Sequence, residues 1–392
     1  MLIFRFYKYQ IYSAWKATVF VAVLAVLYKN YDDLRSLIYP HGEPNIELKR
    51  RESVLQALLS IERNWARPAQ APVAYVGFGS CLDIFTSSKE LFAKMGFVTA
   101  PEPKEFGVLH NREELLSEFG YYFKEGAAAE RYVADRDLFE RLVEAARSIK
   151  STRSALGGNA PVIANRMARE GARVYLGGQA GDDLDQFGLH ERLTCAGPKV
   201  KSSDIHLIVE YDKNEKFDNL VAPRANRFIV HADQYNPVLA SYDQFVGEFN
   251  QAKTPPQLLV VGGLQMMEGY PYEEGERDAY FTKIRTAMAS AAEETKTHFE
   301  LASFVDETIM SKIKDDVLPY SDSVGMNEQE LPNLLSLMKT GSTTKVAPAY
   351  PRVASVLDQM REIYELAKAE KWPRLMSRMH VHNIAFQVGR GH

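Results

Sequence analysis

The chain has 392 residues, 46% of them apolar and 25% charged, enough to bury a large core in one large domain or two coupled ones. Its 47 basic and 51 acidic residues leave a formal net charge of -4, which excludes the electrostatic footprint of a nucleic-acid-binding protein. With only two cysteines, Cys81 and Cys195, a disulfide framework is excluded; both read as buried free thiols, a single bridge being the open alternative.

Arg5, Lys8 and Lys16 precede an apolar stretch over residues 17–28. That is the length of a signal-peptide core and short of the roughly 20 residues that span a bilayer. Residues 1–30 read as a secretory signal or a signal-anchor, the alternative being a buried amphipathic helix. On the first reading the globular part is lumenal in the endoplasmic reticulum or secreted, and only this segment touches a membrane. Residues 31–72 follow as a helical segment and a linker, Arg67-Pro68-Ala69-Gln70-Ala71-Pro72.

From residue 73 an α/β rhythm begins. Runs rich in β-branched or aromatic residues predict strands at 73–78, 173–176, 205–211, 227–231, 258–261 and 299–302; several are continuously apolar, as strands buried on both faces are. Helix-period segments separate many of them, at 113–123, 127–148, 159–170, 277–294, 305–314 and 350–371. The alternation implies a mainly parallel sheet covered by helices.

Ligands of such a sheet bind at the carboxyl ends of its strands. The first strand runs into Gly77-Phe78-Gly79-Ser80-Cys81-Leu82-Asp83, where glycines permit close backbone approach and Asp83 can accept from a vicinal diol; its plainer reading is a turn or cap residue. Gly157-Gly158-Asn159-Ala160 opens a helix, exposing backbone amides beside an asparagine that also reads as an ordinary N-cap. After the strand at 173–176 comes a second glycine-rich turn, Gly177-Gly178-Gln179-Ala180-Gly181-Asp182-Asp183. The two elements together can build half of a phosphotransfer site.

Residues 157–165 with 173–178 resemble the N-terminal signature of ribokinase-like sugar kinases. More narrowly, Glu125-Gly126-Ala127-Ala128-Ala129-Glu130-Arg131, His298-Phe299-Glu300-Leu301-Ala302-Ser303 and Gly325-Met326-Asn327-Glu328-Gln329-Glu330-Leu331 resemble the eukaryotic ADP-dependent glucokinases, in the same order and over residues 73–388. The resemblance implies a ribokinase-like α/β fold, with a large domain and a smaller lid inserted from about 84–131 and 179–232. It implies transfer of the β-phosphoryl group of ADP to the 6-hydroxyl of D-glucose, by a monomer. Asp83, Glu130, Gly158 and Asn159 would line the sugar pocket, although Glu130 alone also fits a helix surface. Glu300 and Glu330 match the family's magnesium motifs, and Mg²⁺ needs only one or two carboxylates; His298 reads as supporting rather than ligating. Arg227, in Pro223-Arg224-Ala225-Asn226-Arg227-Phe228, would reach the nucleotide phosphates or else pair with a nearby carboxylate. His380 and His382 match by position only and make a poor metal site.

The family's late Gly-x-Gly-Asp loop, whose aspartate is the catalytic base, does not occur after residue 183. Asp182, in Ala180-Gly181-Asp182, follows an early strand where related kinases use the turn structurally, and it is rejected as the base. The expectation is a kinase domain, residues 73–392, lacking the C-terminal part of its large domain. Two alternatives remain: a catalytically incomplete form that binds sugar weakly or docks a partner, and an ATP-dependent kinase of another sugar or nucleoside.

Overall fold

The computed structural model describes residues 46–64, 70–181, 184–302, 304, 306–343, 351–383 and 386–391. The chain divides into two compact units, Met1–Ala69 and Gln70–His392. In the first, helix α1 (Ile46–Asn64) is described; the segment read as a signal or anchor lies outside the described residues, as does Asp182. Among the described residues no helix is long and apolar enough to cross a membrane.

In the second unit β1 (Val73–Gly77) passes through Phe78-Gly79-Ser80 into β2 (Cys81–Ser87). There follow α2 (Ser88–Met95), β3 (Val108–Leu109), α3 (Arg112–Glu125), β4 (Ala129–Val133), α4 (Arg136–Arg147), β5 (Arg153–Gly157), α5 (Asn159–Arg169) and β6 (Arg173–Gly177). Short strands β7 (Ala180–Gly181), β8 (Leu193–Cys195) and β9 (Lys199–Val200) lead to β10 (Asp204–Tyr211), and the hairpin of β11 (Lys216–Phe217) and β12 (Leu220–Val221) leads to β13 (Asn226–His231). The remainder comprises α6 (Tyr242–Asn250), β14 (Leu258–Val261), α7 (Glu276–Ala289), β15 (Lys296–Glu300), α8 (Glu307–Asp316), β16 (Ser323–Asn327), α9 (Glu330–Thr340), α10 (Val353–Ala369), β17 (Arg378–His382) and β18 (Gln387–Gly391).

Eight strands form the large sheet in the order β18-β17-β16-β15-β14-β1-β6-β8, parallel throughout except for the antiparallel β18. Period-2 alternation in β1 sends Ala74 and Val76 to one face and Tyr75 to the other. On the first face α5 packs through Ala160, Ala164 and Ala168, all at most 1% exposed. Their four-residue spacing lays three small side chains along one helix stripe, so the helix sits close to the sheet. Phe281, Ile309, Leu331, Leu334 and Ile363 cover the other face.

The mainly parallel sheet is the one the sequence implied. The chain leaves β1 for β6 on one side and returns at β14 on the other, so the strand order reverses between β1 and β14. That is the switch point at which open α/β sheets form a ligand crevice. Here the backbones nearly touch: a Cβ on Gly79 would lie 2.9 Å from Gly263 Cα, and one on Gly263 would lie 2.6 Å from the Phe78 carbonyl oxygen. Both glycines have positive φ, 75° and 77°.

A second sheet, β3-β4-β13-β10-β2-β5, is mixed. Its strands come from two insertions, 81–157 and 204–231, whereas the sequence placed the lid at about 84–131 and 179–232. Two local readings also differ. Asp83 is not in a turn but within β2. The helix expected over 127–148 is a strand, β4, and a shorter helix, α4. Three alanines favour a helix, but Gly126 at φ 61° ends α3 there, while Glu130-Arg131-Tyr132-Val133 pairs into the sheet. Asp135 then restarts a helix by accepting from the Leu138 N–H at 3.0 Å.

Candidate active site

Alternation gives the six-stranded sheet one apolar and one polar face. Leu82 and Ile84 of β2, Leu207 and Val209 of β10, and Phe228 and Val230 of β13 point into a core with α2, α3 and α4. The ladder register puts Asp83 beside His206, His206 beside His231, and Glu130 beside Ile229. Cys81, Asp83, Glu130, His206, Arg227 and His231 therefore share the opposite face. Asp83 and Glu130, 47 positions apart, are assembled by strand pairing alone.

His206 joins the acidic groups. Its Nδ1 lies 3.3 Å from Glu130 Oε1 and its Nε2 lies 3.2 Å from Asp233 Oδ2. Burial works against a charge on this ring, but the neighbouring Cys81 and the Asp233 carboxylate raise its pKa well above the ordinary histidine value. Burial likewise opposes ionisation of Asp233, and the His206 and His231 imidazoles overcome it, holding the carboxyl well below the usual range. Burial raises the Asp83 pKa, opposed by His206 and by the Cys81 thiol that donates to Asp83 Oδ1 at 3.4 Å. Burial also pushes the Cys81 thiol up; Cys81 and Cys195 are both free cysteines.

The glycine pair completes this face. A Cβ on Gly157 would lie 2.0 Å from Asp83 Oδ1, and one on Gly158, at φ 82°, would lie 2.2 Å from the Gly79 carbonyl oxygen. Asn159 then begins α5. Below it a buried network ties the chain crossings between the two sheets. Asn236 Oδ1 accepts from the Ser80 N–H at 3.0 Å, and Gln179 Nε2 donates to the Ser80 carbonyl at 2.7 Å. Asp204 accepts from the N–H groups of Gln234, Tyr235 and Asn236 at 2.9–3.0 Å. Burial and the Asp233 charge raise the Asp204 pKa to about 6.

Glu300 and Glu330 belong to the large sheet. Glu300 ends β15, and Glu330 stands three residues beyond the end of the adjacent β16. Glu300 Oε2 is 3.0 Å from His298 Nε2, whose Nδ1 is 2.9 Å from Ser323 Oγ. The carboxylate lies over Gly325, where a Cβ would be 2.0 Å from Oε2. Glu330, 5% exposed, folds back on Asn327: its Oε2 accepts from the Asn327 N–H at 2.8 Å and its Oε1 from Asn327 Nδ2 at 2.6 Å. Asn327 Oδ1 in turn accepts from the N–H groups of Gln329 and Glu330. Asn327 and Glu330 thus close a reciprocally hydrogen-bonded turn that leads into α9. Two oriented carboxylates at the carboxyl ends of neighbouring strands are hard oxygen donors of the kind Mg²⁺ takes.

A small cleft is lined by Glu130, Tyr132 and His231 of the smaller sheet, by Gly107 just before β3, and by Gln265 and Glu268, which follow β14. It joins the polar face of the inserted sheet to the loop beyond the switch point. Arg227 is exposed on that same face and its charge reaches Asp83. Sequence reasoning did not find His206, His231 or Asp233. The available signals were a histidine interrupting the apolar run of β10 and the His-x-Asp that ends β13.

A family model described as the ADP-specific phosphofructokinase/glucokinase conserved region matches residues 72–389. The chain belongs to this family. It is 31% identical to an ADP-dependent glucokinase of Bos taurus over 83% of its own length, and 30% identical to a probable ADP-dependent glucokinase of Caenorhabditis elegans over 84%. It spans 64% and 67% of the lengths of these two relatives. Among solved structures, an ADP-dependent kinase in complex with fructose-6-phosphate and ADPβS superposes with a TM-score of 0.60 at 17% identity, covering 81% of this chain and 68% of that one. A hypothetical ADP-dependent phosphofructokinase from Pyrococcus horikoshii gives 0.56 at 17% identity, covering 80% and 74%. These two show that the ribokinase-like α/β fold of ADP-dependent kinases is the fold of this chain.

Proposed function

We propose that the chain carries the sugar- and metal-binding part of an ADP-dependent glucokinase, which phosphorylates D-glucose at the 6-hydroxyl with ADP and gives glucose 6-phosphate and AMP. The observation that carries the reading is the convergence of Asp83 and Glu130 on the face that borders the cleft, with Gly157, Gly158 and Asn159 beside them.

The two carboxylates accept from sugar hydroxyls. His206 holds Glu130 from one side. Gly157 leaves room for Asp83, and the close approach at Gly158 sets the start of α5, so that Asn159 offers a donor and an acceptor to the ring. Strands 2 and 4 of the inserted sheet fix the carboxylates on a rigid support, which keeps the sugar in one orientation and lets the sheet exclude water over it. Glu300 and Glu330 would hold Mg²⁺, and bound there the ion would neutralise charge on the ADP phosphates. Arg227 is the residue proposed to reach the nucleotide, by its guanidinium fork. No catalytic base for the 6-hydroxyl is assigned among the groups described. The basic and apolar run over residues 1–28 supports delivery to the lumen of the endoplasmic reticulum or secretion.

Calorimetric titration with glucose tests the reading directly. Saturable binding to the wild type, lost at least tenfold in Glu130→Gln and in Asp83→Asn, is the expected result, with 6-deoxyglucose retained. Equal affinity of wild type and both variants would overturn the assignment of the pocket. Following AMP and glucose 6-phosphate with ADP, ATP and GDP as donors then tests the donor.

A further inference from the structure

Helix α1 carries six of the twelve large apolar side chains that are exposed among the described residues: Leu48, Val54, Leu55, Leu58, Leu59 and Ile61, each 40–65% exposed. Every residue from 48 to 64 is exposed. Helices of this kind draw most of their stability from packing an amphipathic face, so a concentration of bare leucines and β-branched residues on one helix marks a contact surface.

The apolar residues follow a seam. Leu48, Arg51, Leu55, Leu58 and Glu62 recur at alternating spacings of three and four, the two seam positions of a heptad. Val54 and Ile61 flank the seam on one side and Leu59 on the other, while Lys49, Ser53, Gln56, Ser60 and Arg63 take the far face. Two charges therefore stand in the seam, and they decide what fits it. A lipid surface would have to take Arg51 and Glu62 together with the leucines, whereas helices that lie on membranes keep their charges on the face turned away from lipid. A second copy of the helix in parallel would set Arg51 against Arg51 and Glu62 against Glu62. Antiparallel, about a two-fold axis between Gln56 and Ala57, the same seam is complementary to itself. Leu55 of one copy then faces Leu58 of the other, Val54 faces Ile61, and Arg51 faces Glu62, each contact occurring twice. A polar pair within such a seam fixes register and orientation.

From this pattern we infer that α1 is a dimerisation element, pairing antiparallel with α1 of a second copy of this chain through Val54, Leu55, Leu58 and Ile61, with Arg51 and Glu62 setting the register. The resemblance to the glucokinases implied a monomer; the contact proposed here lies in the first unit and is independent of what the sugar pocket binds.

Sedimentation equilibrium of the full chain, without sugar, nucleotide or lipid, tests the pairing. The wild type should be a reversible dimer. Arg51→Glu and Glu62→Arg each place like charges across the seam and should weaken the dimer by about tenfold or more. The double variant Arg51→Glu/Glu62→Arg restores opposite charges and should recover most of that loss. Both positions are exposed, so neither change disturbs a packed core. A monomeric wild type would overturn the inference: slow hydrogen exchange of α1 in that monomer would assign the seam to another segment of the same chain, and co-sedimentation with phosphatidylcholine vesicles would assign it to a bilayer. A wild-type dimer that neither single variant weakens, or that the double variant does not restore, would overturn it as well.

Discussion

Asp83 occupies the space that any side chain at position 157 would take: a Cβ on Gly157 would lie 2.0 Å from Asp83 Oδ1 and 2.8 Å from Cys81 Sγ. The glycine is thus a steric requirement of the aspartate's rotamer. Gly157→Ala should swing Asp83 away from the pocket and weaken glucose binding at least tenfold, about 1.4 kcal/mol. Gly247→Ala, a helical position with nothing within 4 Å, serves as the control and should leave affinity unchanged. Titration calorimetry reads both; wild-type affinity in Gly157→Ala would show that Asp83 does not need this conformation.

Glu330 is oriented by Asn327, and the two roles of that pair can be separated. Asn327→Ala removes the side-chain acceptor for the Gln329 and Glu330 N–H groups and should cost about 1 kcal/mol of stability. It also frees the Glu330 carboxylate, so the Mg²⁺ concentration needed for half-maximal ADP binding should rise. Glu330→Gln keeps an acceptor for the Asn327 amide but loses the charge; it should impair Mg²⁺-dependent ADP binding more than Asn327→Ala while destabilising less. Thermal melts and ADP titrations at several Mg²⁺ concentrations give the two orders, and the same order in both measurements would remove Glu330 from the metal site.

How much of this was legible beforehand follows the physics of each element. Strands such as Leu258–Val261 are uniformly apolar because helices cover both faces, and they were found. β2 was missed because Asp83 and Ser80 made it look like a turn; Asp83 lies on the polar face of the inserted sheet, opposite the core that Leu82 and Ile84 enter. Glu130 was found through its motif, yet its strand was read as helix, since only pairing with β3 and β13 overrides the alanines before it. His206 of β10 and Asp233, two residues past the end of β13, meet only once β10 and β13 pair antiparallel.

Inside the inserted unit, Arg131 and Glu118 form an ion pair at 2.5 Å with side chains 2% and 0% exposed. Arg131→Met leaves the Glu118 carboxylate without its counter-charge and should cost about 3–5 kcal/mol. Burial already raises the Glu118 pKa, against the opposing pull of Arg131. A carboxyl raised in the folded state favours the protonated form on folding, so its effect on stability is least adverse below the unfolded value near 4.5 and worsens as pH rises through the folded value. The variant's deficit in melting temperature should therefore be smaller at acid pH than at neutral pH. Adding Glu118→Gln should recover part of it at neutral pH. A deficit independent of pH, with no recovery in the double variant, would mean that packing rather than charge holds the pair.

The packing of α5 links the large sheet to the pocket. Ala164 is fully buried against the sheet, in the middle of the stripe with Ala160 and Ala168, and Asn159 stands five residues earlier on the same helix. Ala164→Leu adds volume where the helix and sheet are in contact and should cost about 1–3 kcal/mol. Rigid interiors pass such strain on rather than absorb it. The helix start, pinned by the 2.2 Å clearance at Gly158, would then shift Asn159 relative to Asp83, and glucose affinity should fall together with stability. Val162→Leu on the same helix, 51% exposed, should leave both unchanged. Urea denaturation and glucose titration of the two variants measure the coupling; a destabilised Ala164→Leu with wild-type affinity would show that the sheet, not α5, sets the geometry of the glycine pair.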